Sequence, residues 1–308
     1  AYYIGCRETK KRGYCMIINV QGLKKRYHQQ DVLKDITFQI ENPQIVALVG
    51  PNGSGKTTML NCLMNLLPFQ EGEITILGKN HKDPSLFYDV SYLQDNRVLY
   101  GDLTGYDHLK FICKVQKLPI SKVKEVAEYI GMDSYGKKRV RSYSLGMKQH
   151  LLLAMAVINN PKLILLDEPI NGLDPTSAIH MRNILMDLHA KGTTIIISSH
   201  NLEEIDKMTN TIYFMKDGRI LEESLTNLNI PHYSLFVSNA EKALQHLTNY
   251  AEGIQLQEGV LTFSEATLPL QKAIELLYKN DIQIIKVENK KIGAEKRYME
   301  LFESELKV

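Results

Sequence analysis

The chain contains no apolar run approaching the ~18 residues that a membrane-spanning helix needs. If the protein serves a membrane, a partner must supply the spans. It has little net charge, +2 over 308 residues, which argues against a general nucleic-acid binder. Cysteines are few. Cys6, Cys15, Cys62 and Cys113 show no metal-ligand spacing. Cys62 and Cys113 each sit in a helical apolar pattern, so buried or idle thiols in a reducing cytosol are expected. Internal repeats and low-complexity tracts are lacking too. Residues 1–15 have neither an initiator Met nor a long apolar core, which excludes a secretory signal. A strand-like pattern starts at Met16, the expected natural start. Arg12-Gly13 reads back as AGG-GGN, a bacterial ribosome-binding sequence upstream of a Met16 ATG. A genuine short arm or an expression scar are the alternatives, and the Arg12 codon decides.

What is present is an ordinary globular composition, 44% hydrophobic and 23% charged, able to build a real core. The length suits two domains. The chain is organised around Gly50-Pro51-Asn52-Gly53-Ser54-Gly55-Lys56-Thr57-Thr58, which fits G-x-x-x-x-G-K-[ST]. Residues 44–49 before it form a short β-branched apolar run, a buried strand. Residues 59–67 after it carry apolar side chains at helical spacing. Strand, glycine loop, helix is the context this phosphate-binding motif needs. Gly50, Gly53 and Gly55 permit turns closed to residues with a Cβ. Successive N–H groups can then face a phosphate chain at the positive end of the helix dipole. Lys56 would reach the β- and γ-phosphates and Thr57 would ligate Mg²⁺. A glycine-rich turn before an ordinary helix is the alternative.

Before the loop, residues 17–21 and 31–40 read as strands, with a turn at 41–43. Tyr27 lies between them and could stack on adenine, or be a core or surface tyrosine. After the loop come strands over 72–78 and 90–94, the latter ending at Gln94. Residues 95–150 change character. Helices are expected over 106–117, 121–131 and 145–159, broken by Pro119 and Gly131. Ser144 is an N-cap for the third. Residues 137–141, rich in Lys and Arg, read as a solvated face.

Residues 162–169 form a buried strand ending in Asp167 and Glu168. Acids at the carboxyl end of a parallel strand lie where α/β ligand sites occur. Asp167 can hold Mg²⁺ through water, and Glu168 can orient or deprotonate the attacking water. A strand-end turn would account for Pro169 but not for two adjacent acids. A turn over 171–175 and a helix over 175–191 follow. The next buried strand, 193–199, ends at His200. That residue is either a structural histidine or, at the same sheet edge, a γ-phosphate contact. A final hairpin spans 212–221.

With these residues in place the chain resembles the ATP-binding subunit of an ABC transporter, over residues 16–223. The motifs stand in family order: Tyr27 as aromatic loop, Gly50 to Thr58 as Walker A, Gln94 as Q-loop, Ser144 to Gln149 as signature, Leu163 to Glu168 as Walker B, Asp174 as D-loop and His200 as switch histidine. The signature departs from L-S-G-G-Q. Leu145 and Met147 replace Gly and Gln, whereas Ser144 and Gly146 are kept. The S-L-G-M-K-Q form looks like the exporter branch that includes bacitracin- and lantibiotic-type resistance proteins.

The resemblance implies a P-loop α/β ATPase with an antiparallel β subdomain and a helical subdomain at about 95–150. It implies ATP and Mg²⁺ as ligands, Gln94 beside the metal, and catalysis by Glu168 and His200. It also implies a head-to-tail homodimer in which Ser144, Gly146 and Asp174 contact the facing subunit's ATP. The partner would be a separately encoded membrane permease at the cytoplasmic face of the membrane, coupled near Gln94 and residues 95–107, with no nucleic acid involved. Export of a peptide antibiotic, drug or similar compound is the expectation. An importer is the closest alternative. A DNA-repair relative would need coiled-coil arms for which the stretch between Gln94 and Ser144 has no room. A translation-type relative would carry two cassettes, and an inactive one would lack Glu168 or His200.

Residues 224–308 fall outside that core. Their β-α-β-β-α-β pattern, with a last helix at 293–304, resembles a ferredoxin-like α+β module. A regulatory or dimer-contacting role is expected for it.

Overall fold

The computed structural model describes residues 16–94, 96–225, 231–290 and 293–302. β1 (Ile18–Tyr27) and β2 (Gln30–Ile40) form a hairpin, and β3 (Ile45–Val49) is buried throughout. α1 (Lys56–Leu63) follows the glycine loop. Then come β4 (Glu71–Ile76), β5 (Lys79–Asn80) and β6 (Val90–Leu93). The expected helices are α2 (Gly105–Gln116), α3 (Lys122–Ile130) and α4 (Leu145–Val157). β7 (Leu163–Asp167), α5 (Pro175–Ala190), β8 (Thr194–Ser199), α6 (Leu202–Asp206), β9 (Thr211–Lys216) and β10 (Arg219–Ser224) complete this part.

The strands make two sheets. One runs β2-β1-β4-β5 and is antiparallel; the other runs β10-β9-β3-β8-β7-β6. In the second, β6, β7, β8, β3 and β9 pair in parallel, so the ends of β3, β7 and β8 share one edge. Side chains alternate along each strand. Val46 and Leu48 of β3 face a core shared with Met59, Leu60 and Leu63 of α1 and with Ile18, Val20, Ile36 and Phe38 of the antiparallel sheet. That shared core fixes the start of α1 against the strand ends.

Two sequence boundaries move. β1 continues to Tyr27 instead of stopping near Gln21. Register shifts between Val20 and Arg26 break the alternation that would have betrayed the longer strand. α1 ends at Leu63, not Leu67, because Asn65 takes a left-handed φ of 54°. The hairpin between β9 and β10 turns on Asp217 and Gly218, with φ of 51° and 74°. That is the Asp-Gly signal for a two-residue turn with positive φ at both positions.

The chain divides into two compact units between Glu223 and Ser224. In the second, β11 (His232–Val237), α7 (Ala240–Thr248), β12 (Gln255–Gln257), β13 (Val260–Ser264), α8 (Leu270–Lys279), β14 (Ile284–Lys290) and α9 (Ala294–Phe302) follow one another. The sheet order is β12-β13-β11-β14, antiparallel throughout. This is the split βαβ arrangement, in which each crossover helix bridges over one intervening strand. Leu235, Leu261 and Phe263 of the sheet pack on Ala243 and Leu247 of α7 and Ala273 and Leu277 of α8. The last strand begins at Ile284, two residues later than its apolar pattern suggests. Ile282 is buried instead in the turn, its N–H given to Leu277 O.

Candidate functional site

The glycine loop is held tightly from behind. A Cβ on Gly50 would lie 2.6 Å from Met215 O, so no side chain fits where β3 meets β9. Gly55, the N-cap of α1, has φ of 106° and packs against Val32, Leu33 and Met215. No side chain caps this helix. Its first N–H groups, which have no intrahelical partners, therefore point into the loop. The Ser54 hydroxyl is buried there without a hydrogen-bond partner. Lys56 is 6% exposed and folds back on the loop, donating to Gly50 O at 2.7 Å and Pro51 O at 3.2 Å. Burial pushes its ammonium below the usual lysine range, and Glu168 and Asp167 pull the other way. A buried cation satisfied only by carbonyls, beside an unpartnered hydroxyl and a helix start, suits an anion carrying several oxygens.

The strand ends supply the acids. Thr57 Oγ1 donates to Asp167 Oδ2 at 2.7 Å, joining the start of α1 to the end of β7. The other carboxylate oxygen, Oδ1, accepts from Ser198 Oγ at 2.6 Å. Asp167 and Ser198 are direct partners in the β7–β8 register. Ser198 Oγ also accepts the backbone N–H of Glu168 at 2.9 Å. Glu168 then turns out of the strand with φ of 50°, a left-handed value uncommon for a residue with a side chain and held here just before Pro169. Its Oε2 lies 2.8 Å from His200 Nδ1 and 3.3 Å from Asn171 Nδ2. A single file of contacts thus runs Thr57, Asp167, Ser198, Glu168, His200 along the sheet edge.

Thr57 and Asp167 are the oxygen donors that could hold a divalent cation. Among the described residues no group of three or more His, Cys, Asp or Glu is gathered for a metal. The two oxygen donors, Thr57 and Asp167, suit a hard cation, which prefers oxygen ligands.

Not every expected residue joins this file. Gln94 follows β6 and donates its amide to Asn61 Oδ1 at 3.2 Å. Asn61 stands one turn beyond Thr57 on α1, so the expected place of Gln94 beside the metal is one helical turn away from where the side chain rests. Tyr27 lies in the β1–β2 hairpin rather than in a loop between strands. It is the last residue of β1, paired with Gln30, 40% exposed, with Lys25 Nζ 4.8 Å from its ring centroid.

Ser144, Gly146 and Asp174 form a second cluster. Ser144 caps α4, its hydroxyl accepting the N–H of Met147 at 3.3 Å. Asp174 caps α5, accepting from the N–H groups of Thr176 and Ser177. Ser177 Oγ donates to Asp174 Oδ2 at 2.6 Å, and a Cβ on Gly146 would lie 2.9 Å from that same Oγ. The two helix starts are therefore packed against each other through Gly146. Sequence reading missed Ser198, Asn171 and Asn61. The one available signal was the Ser198-Ser199 pair, two hydroxyls that follow the buried apolar run Ile195 to Ile197.

The chain is similar to known proteins. A family model described as ABC transporter matches residues 33–171. The chain is 30% identical over 299 residues to the bacitracin transport ATP-binding protein BcrA of Enterococcus faecalis, covering 92% of this chain and 96% of that protein. It is 34% identical over 207 residues to the lantibiotic transport ATP-binding protein SrtF of Streptococcus pyogenes, covering 67% of this chain and 90% of that one. A solved structure, described as the ATP binding subunit of an ABC transporter, superposes with a TM-score of 0.63 at 26% identity, covering 69% of this chain and 92% of its own.

Proposed function

The chain belongs to the ATP-binding subunits of ABC transporters, ATPases that work with membrane permease components, and on that premise we propose that it powers export of a peptide antibiotic, a drug or a similar compound through a separately encoded permease. The observation that carries export is the match to the bacitracin transport protein, which spans both units rather than the ATPase alone. No helix among the described residues is long and apolar enough to cross a membrane. The permease therefore supplies the path, and this chain works at the cytoplasmic face.

The nucleotide chemistry is assigned as follows. The triphosphate lies along residues 50–58, and Lys56 exchanges its carbonyl partners for β- and γ-phosphate oxygens. Thr57 and Asp167 would hold Mg²⁺, which when bound would supply positive charge to offset that of the phosphates. Ser198 occupies one oxygen of Asp167 and leaves the other aimed at Thr57. Gln94 swings from Asn61 toward the same place. Glu168, held on one oxygen by His200 and Asn171, keeps its second oxygen to orient or deprotonate water. His200 contacts the γ-phosphate, and Tyr27 offers a face to adenine. Two copies close head to tail, so that Ser144, Gly146 and Asp174 of each complete the site of the other.

The test is transport. Cells carrying this chain and the membrane protein encoded beside it should resist a peptide antibiotic such as bacitracin, and the Glu168→Gln chain should abolish that resistance. A neighbouring extracytoplasmic binding protein, with ATP-driven accumulation instead of extrusion, would replace export with import.

A further inference from the structure

Among the described residues, the second unit has one long strand edge that pairs with no other strand. In the order β12-β13-β11-β14 the two end strands are β12 and β14. β12 has three residues, whereas β14 has seven and pairs only with β11 among the described residues. Edge strands are normally kept from pairing by shortness, proline, bulges or charged side chains, lysine above all. β14 is neither short nor interrupted by proline; its guards are a register shift between Ile284 and Lys286 and the charged residues Lys286, Glu288 and Lys290. It exposes Ile285 (70%) and Val287 (40%). Two of its charges, Lys286 and Glu288, are of opposite sign and two residues apart. Lys286 Nζ and Glu288 carboxylate lie 2.6 Å apart on one face of the strand.

That charge order is self-complementary. In an antiparallel pair centred on Val287, Val287 faces Val287 of the second copy, Lys286 faces Glu288 and Glu288 faces Lys286. Residues opposite each other share a face, so both ion pairs form on the same side. An in-register parallel pair would set like charge against like. The sequence of β14 thus selects a two-fold, isologous contact.

We propose that β14 of the second unit is a self-association surface, and that two copies of this chain join through it into a continuous eight-stranded antiparallel sheet. The contact is independent of nucleotide. It adds a permanent tether to two ATPase units that must otherwise find each other in every cycle, raising their effective concentration.

The experiment uses the full chain without nucleotide, in sedimentation velocity over a concentration series. The parent chain is expected to form a dimer. Lys286→Glu and Glu288→Lys, each of which sets like charges opposite one another, should each weaken self-association roughly tenfold or more. An equimolar mixture of the two variants should restore it, since the two acids on the β14 edge of one variant then face the two lysines of the other. A variant that had merely lost its fold would not be rescued by mixing. In a chain with Cys6 and Cys15 replaced by serine, Val287→Cys should oxidise to a covalent dimer, because the buried Cys62 and Cys113 are out of reach. A parent chain that is monomeric without nucleotide, or variants that mixing does not rescue, would overturn the proposal. ATP-dependent pairing of the ATPase units is read separately in the Glu168→Gln chain, so loss of one association leaves the other measurable.

Discussion

The hydroxyl of Ser198 lies 2.6 Å from Asp167 Oδ1, across the register of β7 and β8. Because the Ser198 hydroxyl oxygen also accepts the Glu168 N–H, one small side chain positions both acids.

Ser198→Ala should therefore disturb metal use as well as rate. Asp167 loses the bond that fixes its rotation, and the Glu168 N–H is left without its partner. An orphaned buried group costs about 1–3 kcal/mol. The expected result is a lower melting temperature together with a higher Mg²⁺ requirement for ATP hydrolysis. Ser198→Cys or Ser198→Thr, which retain a polar atom, should lie between. An unchanged Mg²⁺ titration would remove Ser198 from the site.

Lys56→Ala should weaken ATP binding roughly 10- to 100-fold, since a charge-assisted hydrogen bond is worth about 1.5–3 kcal/mol. The parent lysine should also give a pH signature. Burial lowers its folded value beneath the usual 10.5. Between those two values the unfolded chain binds more protons than the folded one, so stability rises with pH in that window. Bound phosphates favour the charged form, so nucleotide binding there should take up a proton. Calorimetry in buffers of different ionisation enthalpy measures this, and the uptake should vanish in Lys56→Ala.

Glu168→Gln keeps volume and hydrogen bonding but removes the proton acceptor. Hydrolysis should fall ~10²–10⁴-fold, the range for losing a general base. Removing a negative charge beside the γ-phosphate should also lengthen the life of the ATP-bound pair. Size-exclusion chromatography should show additional association with ATP beyond that seen with ADP. Hydrolysis at the parent rate would rule the residue out as base.

Gly146→Asp and Ser144→Ala should spare ATP binding by one subunit and abolish hydrolysis. At Gly146 the new Cβ meets Ser177 Oγ at 2.9 Å, so even Gly146→Ala must displace the hydroxyl that bonds Asp174. Mixing Gly146→Asp with Lys56→Ala should give pairs with one site damaged twice and one intact. ATPase activity recovered on mixing checks that these residues act across the pair.

Much of this was legible in the chain. Gly50 to Thr58, the acids after 162–166 and the histidine after 193–199 were readable because each closes or opens a buried apolar strand, and parallel pairing brings such ends to one edge. The second unit was readable from its succession of strand and helix patterns, of which β13 is the cleanest, burying every other side chain. Tyr27 was misplaced because bulges in β1 erase period two. Gln94 was expected at the metal, but Asn61, a residue in no motif, holds its amide. Ser198 went unseen because the hydroxyl pair that closes β8 takes its meaning only from Asp167 on the strand beside it.

The floor beneath the phosphate loop has a consequence for how the chain is made. The space at Gly55 is closed by Val32 and Leu33 from β2 and by Met215 from β9, and the turn at Gly218 is anchored to β2 through its carbonyl, which accepts the Lys34 N–H. These contacts join segments from opposite ends of the first unit, which are slow to meet during folding. A chain still being synthesised, or one cut before β9, has the entire glycine motif yet lacks the Met215 part of the wall behind it. Nucleotide affinity is then acquired late, with the last strands, and ATP becomes a stabiliser only of chains that have finished folding.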